Sequence, residues 1–482
     1  MSGGNVAISR IVAVILITAA AGCGYLALRA DDAPATTGDA PRLATPLWSP
    51  RRVPQPLVDA VGAQRLQSRL DAELGAGQSC VVVNAGSGDI ASHSPNLALA
   101  PASTEKLLTG LAAMSALGSD FKYETKAVAA ADPANGTVDR LWLVGAGDPS
   151  LSTPDYPGMV ESNPRRNTEE QATGPSKSTT SLAALADAIA AAGVRNIPGG
   201  IQGDDSRYET VRYVPSWPAT YRTDPEIGPI GALTVNHGMS AIQSKLTAVD
   251  DPAVFAATQL SDLLSARGVS VGAPGRSTAP EGAKPIASVQ SAPLHDLVAA
   301  AFESSDNLAM EMFVREVGVK VAKQGTTAAG AKAVVDKVHE LGVPVDGVAL
   351  VDGSGLDRGN RVSCQTLMSV IGFGARPEFN ALWNGLAIAG QTGTLADEFR
   401  GSALNGKLHA KTGSLQGVTG LAGFVDTGRA VVFSYLASGS FSLGTGVGMR
   451  GQVAEIIGQF PDSPAADQLV PMPDAPAPRA SP

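Results

Sequence analysis

Hydrophobic and polar positions change their period several times along the 482 residues. In PASTEKLLTGLAAM (101–114), Leu107, Leu108, Leu111 and Met114 recur at helical spacing, and the pattern predicts a buried helix with Ser103 as its N-cap. VDAVGAQRLQSRLDAEL (58–74) shares that spacing, and SCVVVNAGSGDIASHSPN (79–96) reads as two strands around a Gly-Ser-Gly turn. From about residue 119 to 289 the chain is interrupted by Gly, Pro, Asp and Thr. It still holds the strand-like RLWLVGAG (140–147) and the Ala-rich helix SLAALADAIAAAGV (181–194). Such a stretch is too long for a loop and needs a core of its own. Helical patterns resume in LHDLVAAAFESSDNLAMEMFVREVG (294–318) and AAGAKAVVDKVHELG (328–342). The strand candidates KLHAKTGS (407–414), GLAGFV (420–425) and AVVFSYLAS (430–438) close the chain.

Both ends depart from this texture. Residues 11–28 form an uncharged apolar run between Arg10 and Arg29, about the minimum that spans a bilayer. We read it as a retained membrane anchor, with a cleaved signal peptide and a lipoprotein signal ending at Cys23 as the alternatives. Residues 31–55 are Pro-rich and aperiodic, as expected of an extended tether, and the tail 463–482 is similar. The expected division is therefore 1–30, a membrane segment; 31–55, a linker; 56–118 and 290–462, two parts of one domain; 119–289, an insertion; and 463–482, a tail.

Composition removes several classes of function. A net charge of −9 with only 12 lysines offers no basic stripe for nucleic acid. Three cysteines, Cys23, Cys80 and Cys364, make no disulfide framework and no C-x-x-C pair. Cys80 and Cys364 read more readily as buried small hydrophobes than as partners. The five histidines are scattered without H-x-x-x-H spacing, so neither a metal nor another cofactor is implied.

The chemistry concentrates in three short motifs. Ser103 and Lys106 sit three apart at a helix start, where such residues share a face, and an amine there can take the serine proton once its pKa has fallen well below about 10.4. Burial, the helix dipole and a second cation would all lower it. A second S-x-x-K, Ser119 to Lys122, runs into a strand, where positions three apart face opposite sides. The second cation is sought in Lys411-Thr412-Gly413, the one K-T-G of the chain, at the end of a strand run, where Gly413 leaves room for a ligand against the strand. The near-copy Gln391-Thr392-Gly393-Thr394 lacks the cation and reads as a turn. Ser305-Asp306-Asn307 lies between the two, in a helical region where a polar break is the plainer explanation of Ser305 and Asn307 taken singly. In the order S-x-x-K, S-D-N, K-T-G, the three match the signature of the penicillin-recognising serine enzymes.

With those motifs, and with GAGDPSL (145–151), GDDSRY (203–208), VDGSGLDRGNRVS (351–363) and AKTGSLQGVTGLAGFV (410–425), the chain from about residue 56 to 460 resembles the class C low-molecular-weight (type-4) penicillin-binding proteins, D-alanyl-D-alanine carboxypeptidases and endopeptidases. The resemblance implies an α/β (α+β) fold: a β-lactamase/transpeptidase-like domain with a five-stranded antiparallel sheet flanked by helices, carrying a β-rich insertion between the first two motifs. It implies Ser103 as the acylated nucleophile, Lys106 as its base and Ser305 as the relay to the leaving amine. It implies Asn307 on the substrate amide, Lys411, Thr412 and Gly413 on the terminal carboxylate side, and the N–H groups of Ser103 and Ser414 as the oxyanion hole. Asp352, Ser354 and Arg358 either shape the pocket or serve only the turn. The implied activity is removal of the terminal D-Ala from peptidoglycan stem peptides ending in D-Ala-D-Ala. β-Lactams are the implied covalent inhibitors, and the place is the extracytoplasmic envelope, anchored by residues 11–28. The alternatives are a DD-endopeptidase using the same site and a non-catalytic penicillin-binding scaffold.

Overall fold

The computed structural model describes residues 55–462 apart from 76, 87, 157–178, 224–225 and 243–244. The apolar run 11–28, the Pro-rich stretch up to residue 54 and the tail 463–482 lie outside the described residues. Among the described residues, no helix is long and apolar enough to cross a membrane.

The chain opens on α1 (Gln55–Leu74), continues through β1 (Gln78–Asn84) and β2 (Asp89–His93), and reaches α2 (Lys106–Leu117) by way of a 3₁₀ turn, Ala102–Glu105. The segment beyond α2 supplies β3 (Glu124–Ala129), β4 (Leu141–Val144), α3 (Leu182–Ala191), β5 (Ile201–Asp204), α4 (Pro252–Ser265), β6 (Gly275–Arg276) and β7 (Lys284–Gln290). Helices α5 (Leu294–Glu303), α6 (Asn307–Ala322), α7 (Thr327–Glu340) and α8 (Cys364–Gly372) follow. The chain then runs through β8 (Ala387–Ile388), β9 (Leu408–Leu415), β10 (Val418–Asp426), β11 (Ala430–Ser438) and α9 (Leu443–Gly458). Several helices begin where the sequence supplies a cap. The side chains of Ser181, Asp251, Asp306, Thr326, Ser363 and Ser442 each accept a backbone N–H of the first turn.

The main sheet has the order β8-β9-β10-β11-β1-β2 and is antiparallel throughout. It contains six strands rather than the expected five, because the two residues of β8 pair with Ala410 and His409 at the edge of β9. Burial on both faces explains the unbroken apolar run of β1. Cys80 and Val82 join Leu108, Phe313 and Leu367 in the core on the face of α2, α6 and α8. Val81 and Val83 join Leu66, Leu70, Phe433 and Ile457 beneath α1 and α9. A second sheet, β6-β5-β4-β3-β7, lies in the segment between α2 and α5 and has its own core, in which Leu141, Leu143, Leu185, Ile189, Ala256 and Leu260 are buried.

One expectation is corrected here. Cys80 and Cys364 are not isolated buried thiols: a disulfide joins them across a sequence separation of 284 residues, tying β1 to the start of α8. The helical pattern from 294 to 318 divides into two helices at Ser305. Ser305 takes φ +57° between α5 and α6, and Asp306 caps the second helix. Residues 427–429 link β10 to β11.

Candidate active site

Ser103 stands in the 3₁₀ turn, not at an N-cap position. The residue before the turn is Pro101, no side chain caps it, and α2 begins only at Lys106. The i, i+3 spacing still brings the two side chains together: Lys106 Nζ donates to Ser103 Oγ at 2.8 Å. The same nitrogen donates to Asn307 Oδ1 at 2.8 Å and to the Ser354 carbonyl at 2.6 Å. Three acceptors match the three donors of an ammonium. In the neutral amine, two donors remain for Asn307 and Ser354, and the lone pair turns to the Ser103 hydroxyl. Lys106 is completely buried, and burial lowers its pKa to about 8 against the opposing pull of Asp352, Glu105, Glu311 and Asp306.

Of the causes expected to lower the pKa of Lys106, burial is the largest. Lys411 is itself fully buried and held well below its ordinary pKa, by burial first and then by the charges of Lys106 and Arg450. Its Nζ donates to Ser305 Oγ at 2.8 Å and to the Thr412 carbonyl at 3.1 Å. The first two motifs therefore meet at Asn307 and Lys106, and the last two at Ser305 and Lys411. Gly413 also packs closely against the turn that carries Ser103. A Cβ there would lie 2.7 Å from the Pro101 carbonyl and 3.2 Å from Thr104, so its bareness seats the turn carrying Ser103 against β9.

The loop Asp352–Gly355 is built around one buried carboxylate. Asp352 accepts from Trp217 Nε1 at 2.8 Å, Gly355 N at 3.0 Å, Asp357 N at 2.6 Å and Asn360 Nδ2 at 2.7 Å. Those bonds aim the Ser354 carbonyl at Lys106. Glu311 takes the Gly353 and Ser354 N–H groups beside it, and burial together with the Asp352 charge pushes its pKa up. Gly355 has φ +84°, and a Cβ on it would lie 1.9 Å from the Ala102 carbonyl and 3.1 Å from Ser103 N. Gly355→Ala is accordingly expected to displace the turn carrying Ser103 and slow covalent modification of Ser103 by about 10- to 100-fold while the far-ultraviolet circular dichroism stays that of the wild type. Unchanged reactivity at Ser103 would show that the turn tolerates the shift.

Between these elements lies a cleft of about 230 Å³ lined by Ser103, Ser305, Asn307, Thr412 and Ser414, with Tyr221, Glu226, Arg358 and Thr394 around them. β8 ends its pairing at Ala410, so among the described residues Lys411–Leu415 carries no strand on that edge. All eight residues singled out in the sequence stand in or directly behind the cleft: Ser103, Lys106, Ser305, Asn307, Lys411, Thr412, Gly413 and Ser414. The second S-x-x-K does not gather, because Ser119 Oγ donates to the Glu378 carbonyl.

Several site residues escaped the sequence reading. Thr394, taken for part of a turn, accepts from Thr412 Oγ1 at 2.8 Å. Arg450, buried in α9, donates to Ser414 Oγ at 2.6 Å and pairs with Glu398. Glu226 offers its carbonyl to Asn307 Nδ2 at 2.9 Å. For Thr394 the resemblance of Q-T-G-T to K-T-G was a signal; for Arg450 and Glu226 no local pattern exists. Among the described residues, no group of three or more His, Cys, Asp or Glu gathers as a metal site.

The model of the D-Ala-D-Ala carboxypeptidase 3 (S13) family matches residues 63–247 and 241–457. A D-alanyl-D-alanine carboxypeptidase of Actinomadura sp. (strain R39) is 29% identical over 77% of this chain and 80% of its own length. A carboxypeptidase of Mycobacterium tuberculosis is 31% identical over 70% of this chain and 71% of its own. Among solved structures, penicillin binding protein 4 of Haemophilus influenzae superposes with a TM-score of 0.64 at 21% identity, over 81% of this chain and 97% of that one, a likeness of fold.

Proposed function

The chain belongs to the D-Ala-D-Ala carboxypeptidase 3 (S13) family, and from that premise we propose how its site performs acyl transfer. The enzyme is a serine-type D-alanyl-D-alanine carboxypeptidase that acts outside the cytoplasm and is bound by penicillin. In our reading neutral Lys106 takes the proton from Ser103 Oγ, and the oxygen attacks the carbonyl of the penultimate D-Ala. The C–N bond breaks, Ser305 passes a proton to the leaving D-Ala amine, and water then hydrolyses the ester on Ser103. The N–H groups of Ser103 and Ser414 hold the oxyanion, a contribution commonly worth about 3 kcal/mol.

Lys411 and Thr412 take the terminal carboxylate. Burial holds Lys411 below its ordinary pKa, and a bound carboxylate favours its charged form. The peptide lies as an added strand along Lys411–Leu415, and Asn307 bonds its amide. The observation that carries the reading is the 2.8 Å contact between Ser103 Oγ and a buried Lys106. In the same reading residues 56–118 and 290–462 form the transpeptidase-like domain, residues 119–289 are its insertion, and residues 11–28 hold the enzyme to the membrane.

The test is intact mass after incubation with benzylpenicillin, followed by peptide mapping and a digest of a D-Ala-D-Ala pentapeptide. A single penicilloyl adduct on the peptide containing Ser103, with D-Ala released from the pentapeptide, is expected. Neither adduct nor D-Ala would move a non-catalytic scaffold to first place. A cross-linked muropeptide dimer cleaved faster than the pentapeptide would make the endopeptidase the main activity, since both use the same bond chemistry.

A further inference from the structure

The second motif is held from outside itself. Asp306 stands between Ser305 and Asn307, and its two oxygens have separate tasks. Oδ1 accepts the Ala309 N–H at 2.9 Å and caps α6, while Oδ2 lies 2.7 Å from His237 Nε2. Behind it, His237 Nδ1 lies 3.1 Å from Tyr156 Oη. All three side chains are shut off from solvent, with Tyr156 at 1%, Asp306 at 4% and His237 at 6% exposure. Tyr156 can donate or accept, so the chain of bonds closes whether the imidazole is neutral or charged.

His237 belongs to the long segment between α2 and α5, and the backbone there is bent for the purpose. Asn236 and His237 both take positive φ, +55° and +54°, a conformation that costs free energy at non-glycine residues and persists only where surrounding bonds over-determine it. Those bonds are present. The Asn236 side chain accepts from Thr153 N at 2.8 Å and donates to Thr153 Oγ1 at 2.8 Å. The same segment reaches the site twice more, through the Glu226 carbonyl on Asn307 and Trp217 on Asp352. Through His237 it meets the second motif side chain to side chain.

Asp306 can matter to catalysis through its neighbours. Ser305 is held at φ +57° immediately before it, and Asn307 begins α6 immediately after it. Asn307 Oδ1 is one of the three acceptors that aim Lys106 at Ser103. A carboxylate free to turn would loosen the first turn of α6 and both flanking side chains together.

We propose that His237 is a positioning residue for acyl transfer: by fixing Asp306 it sets the places of Ser305 and Asn307, and through Asn307 the aim of Lys106 at Ser103. This rests on the reading of Ser103 as the acylated group. The long segment between α2 and α5 is thereby a working part of the site, tied to the second motif by a side-chain bond.

The experiment compares the full chain with His237→Ala, His237→Asn and His237→Gln, measuring the second-order rate of acylation by benzylpenicillin, kcat and KM for D-Ala release, and Tm. A glutamine amide can still donate to Asp306 Oδ2, whereas alanine has no donor and asparagine is too short. The Ala and Asn variants are expected to acylate about 10- to 100-fold more slowly than wild type, the cost of misplacing reacting groups by about 1 Å, with Gln recovering most of the rate. Should His237→Ala fail to fold, the contrast between Asn and Gln carries the test. Wild-type rates in Ala or Asn, or a Gln variant no faster than Ala at equal Tm, would overturn the proposal. A wild type that forms no adduct refutes the acyl-enzyme reading instead.

Discussion

Lys106→Met is expected to acylate with benzylpenicillin about 10²- to 10⁴-fold more slowly than the wild type, the range by which a positioned general base accelerates proton transfer. The argument starts from burial. The amine is closed off from water, so its charged form is disfavoured and its pKa falls to about 8 although four carboxylates pull the other way. The competent form is the neutral one, because an ammonium has no lone pair for the Ser103 proton. Acylation by the wild type should therefore rise as pH rises, roughly tenfold per unit below about 8, and level off above it. Lys106→Arg should not rescue the rate, since a guanidinium stays protonated and cannot serve as base. Stopped-flow acylation from pH 5.5 to 9.5 checks both statements. A methionine variant that keeps the wild-type rate, or a wild-type profile that falls between pH 6 and 8, would remove Lys106 from the role of base.

Loss of the Cys80–Cys364 bridge is expected to destabilise the fold by about 2 to 5 kcal/mol, without abolishing reactivity at Ser103 in protein that remains folded. The bridge joins residues 284 apart. Chain-entropy reasoning gives the largest stabilisation to bridges that close long loops. Both cysteines are fully buried, Cys80 among the residues under α2 and α8, three strands along the sheet from β9. Urea denaturation of the wild type against Cys80→Ala/Cys364→Ala, each followed by penicillin labelling, separates the two effects. A midpoint unchanged by the double substitution would mean that the bridge contributes little to stability. A variant that folds but does not label would show that the bridge also shapes the cleft. Such a bond persists in oxidising compartments, in keeping with action outside the cytoplasm.

How much was legible in the chain follows from the range of each interaction. Ser103 and Lys106 were paired correctly because i, i+3 neighbours in helical or 3₁₀ backbone meet whatever surrounds them, even though Ser103 is no N-cap. The strands β9, β10 and β11 were visible as apolar runs bounded by turns, and one K-T-G placed Lys411 at the end of such a run. A polar break at Ser305 was legible, but not that the residue leaves the helix at positive φ, because backbone torsion at a single non-glycine residue leaves no mark in the apolar period.

What the tertiary structure decided was partnership. Thr394 meets Thr412, Arg450 meets Ser414, His237 meets Asp306 and Cys80 meets Cys364 across 18, 36, 69 and 284 residues. In each case the contact exists because particular strands pair and particular helices lie on one face of the sheet. Even the lowered pKa of Lys106 belongs to this class, since it arises from burial beneath the DGSG loop and α6 rather than from the spacing of charges along the chain. The sequence by itself determined which chemistry was present and which side chains were local neighbours, because period and turn preference act over a few residues. Only the folded sheet decided which distant groups hold those side chains in place, because pairing register and core burial are properties of the whole chain.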